Sequence, residues 1–129
     1  MKRLILFRGK RVDDGQWIYG DLLTSNGTCC EISDWNEVDY SRHDVGKETV
    51  CQCIVISDKH GIEIFEDDIV KYFEPNSKTW YTRIAKWDWR FAGFGLFDKE
   101  SEWCKESDWV KIKDIEVIGN IHDNKELLP

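Results

Sequence analysis

Apolar residues along this chain fall into short runs alternating with polar positions, and turn residues end each run before a helical repeat develops. Leu4 to Phe7 is the first run. Trp17 to Leu23 follows a turn at Asp13 to Gly15, so residues 4 to 23 read as a hairpin. Asn26-Gly27 is a second hairpin signal, because both residues tolerate positive φ. Thr49 to Ile56 is β-branched and apolar and reads as a buried strand. Between Ser57 and Val70, turns at Asp58–Gly61 and Glu66–Asp68 bracket a short alternating segment. Asp68 to Phe73 is then a strand, stopped by Pro75-Asn76-Ser77.

The later half continues in the same way. Trp80 to Trp89 alternates, with Trp87, Trp89 and Phe91 on one face and Lys86, Asp88 and Arg90 on the other. Gly93-Phe94-Gly95 reads as a bend before Leu96-Phe97, and 98–108 as a polar loop. Val110 to Lys113 and Ile115 to Ile121 are the last strands. Asp34-Trp35-Asn36-Glu37 has capping-box form, but no amphipathic run follows it. Lys125 to Leu128 is long enough for one terminal turn. The prediction is an all-β chain.

Composition changes this picture little. Hydrophobic residues make up 41% of the 129, charged ones 33%, and 17 aromatics supply bulk for a core, so a soluble globular domain is expected. The apolar run after Lys2-Arg3 is too short for a signal peptide and no later run is long enough to span a membrane, which points to the cytoplasm. Five cysteines without a regular framework suit free thiols in a reducing compartment.

Charge is distributed unevenly. Residues 1 to 11 carry five cations and no acid. Val12 to Val70 carries 14 acids against Arg42, Lys47 and Lys59, and Lys71 to Arg90 turns basic again. A net charge of −7 disfavours a general nucleic-acid binder, because phosphate is repelled at long range.

No catalytic constellation is visible. There is no Gly-x-Ser-x-Gly, no phosphate loop and no Cys–His spacing that selects a nucleophile, so a non-enzyme without a cofactor is expected. Glu66-Asp67-Asp68 reads as a turn rather than a cation site, since consecutive residues on an extended chain diverge. Cys51 and Cys53 share a strand face. With Cys29, Cys30, Cys104, His43, His60 and His122 they offer zinc ligands, yet knuckle spacing is missing, so no metal site is assigned.

The best binding candidate is Lys86, Trp87, Trp89 and Arg90. Exposed aromatics flanked by cations stack on bases or grip peptides. Alternation favours the other reading, with Trp87, Trp89 and Phe91 in the core and Lys86 and Arg90 solvated.

Three blocks together resemble the YopX-like family of phage and prophage proteins. They are Phe7-Arg8-Gly9-Lys10 leading to Trp17–Leu22, Thr49-Val50-Cys51-Gln52 leading to Asp58–Val70, and Glu116–Asn124 with Leu127-Leu128. The resemblance implies a phage or prophage origin, no established activity, and an SH3-like barrel in the C-terminal part. The expected division is then an N-terminal β-rich portion at 1–55 and a barrel with a short tail at 56–129. The chain departs from the family where Cys51 and Val55 replace glycines and Asp67 replaces the central glycine of Glu-Gly-Asp. Aspartate tolerates positive φ, so the Asp67 turn is expected to survive. The resulting functional expectation is a protein-binding adaptor, with self-association plausible through sheet edges. A nucleic-acid binder using 80–91 is the alternative.

Overall fold

The computed structural model describes residues 3–25, 29–90, 92–98 and 113–129. The Asn26-Gly27 turn, Phe91, Cys104, the stretch at 99–108 and the strand expected at 110–112 lie outside them. The chain divides into two compact units, Met1–Cys53 and Ile54–Pro129.

In the first unit, β1 (Phe7–Lys10) pairs antiparallel with β2 (Trp17–Ser25), and the hairpin begins three residues later than the apolar run suggests. Leu4 and Ile5 are exposed. The turn between the strands closes with Gly15 at φ +70°. β2 pairs with β3 (Cys29–Asp34), which pairs with a short edge strand, β4 (Arg42–Asp44). β1 also pairs with the start of β5 (Cys51–Ser57). Ile18, Ile32 and Val45 form the core, flanked by Phe7, Leu22, Cys30 and Val50. Gly20 is required by close approach: a Cβ there would collide with the Ser33 carbonyl oxygen on β3.

In the second unit the later part of β5 adds β6 (Glu63–Phe65). The main sheet contains β7 (Asp68–Glu74), β8 (Thr79–Asp88), β9 (Gly93–Phe97) and β10 (Lys113–Asn120), in the order β10-β7-β8-β9. Ile54, Ile64, Val70, Tyr72, Ala85, Leu96 and Ile115 make its core. The four-stranded sheet is open, and no closed barrel exists among the described residues, so the SH3-like barrel is not confirmed. Gly93-Phe94-Gly95 is strand rather than bend, because it pairs with Lys86 to Asp88. One 3₁₀ turn, Lys125–Leu127, stands where the terminal turn was expected.

Asp58 ties this unit together. Its Oδ1 accepts the His60 and Ile62 N–H groups at 2.8 and 2.9 Å, which closes the 58–61 turn. Its Oδ2 accepts the Val117 N–H on β10 at 3.1 Å. Burial is the largest single influence on this carboxyl and pushes its pKa up, but the donors from Val117, Ile62 and His60 together hold it below the ordinary value.

Candidate functional site

The second half of β8 positions the candidate residues. Ile84 and Ala85 are both buried although they point to opposite faces, so both faces of the sheet are covered at this level. Beyond Ala85 the core thins out. Trp87 lies half exposed, its ring edge-on to Phe94 at 5.2 Å and 76°. Trp89 follows the strand end and is 82% exposed. The core placement that alternation favours for these two tryptophans is therefore corrected: the strand outruns its core.

Asp88 takes the buried position between them. A carboxylate is tolerated there because Arg90 folds back onto it, with Nε to Oδ1 at 3.1 Å and Nη2 to Oδ2 at 3.0 Å. The Arg90 backbone N–H also donates to Oδ1 at 2.9 Å. The Arg90 side-chain bonds hold the Asp88 carboxyl below its ordinary pKa, against burial, and the backbone N–H adds to them.

Lys86, Trp87, Asp88, Trp89, Arg90 and Phe97 line one cleft of about 350 Å³. All four sequence-predicted residues are thus brought together, and Asp88 and Phe97 are added to them. Space exists because Gly95 and Gly93 stand opposite Lys86 and Asp88 on β9 and contribute no side chains. The cleft offers two indole faces, an ammonium group and a guanidinium already neutralised by Asp88. This chemistry grips apolar and acidic groups and has no evident nucleophile.

Further along the sheet, Lys71 Nζ sits 4.9 Å over the half-exposed Trp80 ring, and Arg83 sits 4.8 Å over Tyr81. The histidines separate rather than converge. His60 lies 3.5 Å from Glu116, and His122 lies 2.9 Å from Asp67. His43 bonds Glu37 at 2.7 Å. Cys51 and Cys53 are buried thiols. Glu66-Asp67-Asp68 diverges as expected of a turn: Asp68 accepts the Phe65 N–H at 2.8 Å while Asp67 faces His122. Sequence reasoning missed the grouping of Asp34, Glu37 and His43, which carries no knuckle spacing.

These features define an all-β protein built from two sheet-based units, with an open aromatic cleft at the end of β8. The chain belongs to the YopX protein family, which it matches over residues 6–129. Its fold is similar to the crystal structure of protein EF1440 from Enterococcus faecalis, with a TM-score of 0.63 and 21% identity. That similarity covers 99% of this chain and 100% of the other. None of the curated proteins compared with it matches. No helix among the described residues is long and apolar enough to cross a membrane.

Proposed function

We propose that this chain is a non-enzymatic protein-binding or adaptor module, encoded by a phage or prophage and acting in the bacterial cytoplasm. Its contact surface is the cleft of Lys86, Trp87, Trp89 and Arg90. The observation carrying this reading is the exposure of Trp87 and Trp89 on one cleft, since solvent-facing tryptophans flanked by a cation are typical anchors for a partner. A protein segment with an apolar side chain beside a carboxylate fits best. The apolar group would lie between the indoles and the carboxylate would meet Lys86.

Nucleic acid is the less favoured ligand. Net charge is −7, and Arg90 is held in a bidentate pair instead of being offered to phosphate. The test is capture from bacterial lysate with the tagged protein, with and without nuclease. One dominant protein that survives nuclease supports the reading. Loss of every partner on nuclease treatment contradicts it in favour of nucleic acid.

A further inference from the structure

We propose that Asp88 and Arg90 act together as a positioning clamp that holds Trp89 in one presentation toward a partner. Asp88 ends β8 and stands opposite Gly93, so Trp89 is the first residue beyond the strand pairing. Its indole is 82% exposed, and packing does not fix a ring so largely in solvent. The backbone is fixed instead. Asp88 Oδ1 accepts the Arg90 N–H at 2.9 Å, which closes a turn around Trp89. The guanidinium then returns over the same carboxylate, with Nε to Oδ1 at 3.1 Å and Nη2 to Oδ2 at 3.0 Å. These three bonds bracket Trp89 from both sides, and the two side-chain bonds form the planar fork that arginine offers and lysine does not.

Burial separates this pair from an ordinary surface salt bridge. The Asp88 side chain is 2% exposed and that of Arg90 49%. A buried carboxylate is a poor choice for stability alone, since a well-packed apolar side chain in its place is often as stable or more so. What the pair supplies is a defined conformation: the anchored carboxylate is the fixed point, and Arg90 ties the chain to it. An indole held in this way loses less freedom on binding than one on a loose turn, so the clamp lowers the ordering cost that a partner meets. Arg90 thus serves the cleft through Trp89, its own charge being neutralised by Asp88. The functional meaning of the clamp rests on the cleft being the contact surface.

The test is fluorine NMR of the full chain labelled with 5-fluorotryptophan, with no partner present. Trp17→Phe, Trp80→Phe and Trp89→Phe identify three of the seven tryptophan resonances. In the wild type, the Trp89 resonance should be shifted away from the free amino acid and relax as part of the folded chain. In Arg90→Gln it should narrow and move toward the free amino acid, while the Trp17 and Trp80 resonances stay in place and report an intact fold. Arg90→Gln leaves a buried carboxylate uncompensated, so Asp88→Leu/Arg90→Gln, which leaves none, is the second variant, with the same expected result. A Trp89 resonance already free-like in the wild type, or unchanged in the folded variants, would overturn the proposal. No ligand enters this measurement, so its failure is distinct from failure of the contact-surface reading, which shows instead as equal capture by the wild type and Trp87→Ala/Trp89→Ala.

Discussion

Val55 is a β-branched residue held at φ +64° inside β5. The left-handed conformation costs an ordinary residue about 1–2 kcal/mol and a β-branched one no less. Glycine would remove that strain at an entropic cost of up to about 1 kcal/mol. Val55→Gly is therefore expected to raise stability by up to about 1 kcal/mol, seen as a higher urea midpoint with an unchanged slope. Gly20→Ala should act oppositely and lower stability by at least ~2 kcal/mol, because a Cβ collides with the Ser33 carbonyl. Asp67, at φ +68°, keeps the positive-φ turn that the family resemblance implied and that aspartate tolerates. Val55 was not legible, since Thr49 to Ile56 has the hydropathy of a uniform strand and hydropathy does not encode φ.

Hairpins and turns were the most legible elements. The 58–61 turn has Gly61 at φ +80° and its N–H on the Asp58 carbonyl at 3.0 Å. Its remote partner was invisible, because Asp58 reaches Val117 across 59 residues. That contact predicts a pH dependence. The folded pKa of Asp58 lies below the unfolded value of about 3.9, so its stabilisation is present above pH ~4 and is lost as pH falls through the folded value. Asp58→Asn keeps one acceptor oxygen but leaves the Val117 N–H without one, for a loss of about 1–3 kcal/mol at pH 7. Thermal unfolding of both proteins at pH 7 and pH 3 should show the difference narrowing in acid. The Gly93–Gly95 segment was misread because paired glycines signal bends. Here they sit in β9 opposite Lys86 and Asp88 and leave room for the cleft.

At the scale of the molecule, the all-β class and family membership were within reach of the sequence. The exposure of the tryptophans was not. Alternation assigns a face, but whether that face is covered depends on where the core ends, and the core ends near Ala85 and Leu96. Asp88 was equally hidden, because an isolated carboxylate reads as solvated until Arg90 is seen folded onto it. The central claim is that this cleft is the contact surface, and exposed tryptophan anchors carry about 2 kcal/mol or more of binding energy each. The decisive measurement is nuclease-treated capture from bacterial lysate by the wild type and by Trp87→Ala/Trp89→Ala side by side, with thermal unfolding of both. The account predicts that a protein retained by the wild type is lost from the double variant, whose unfolding midpoint stays within a few degrees. Equal capture by the two folded proteins would contradict it.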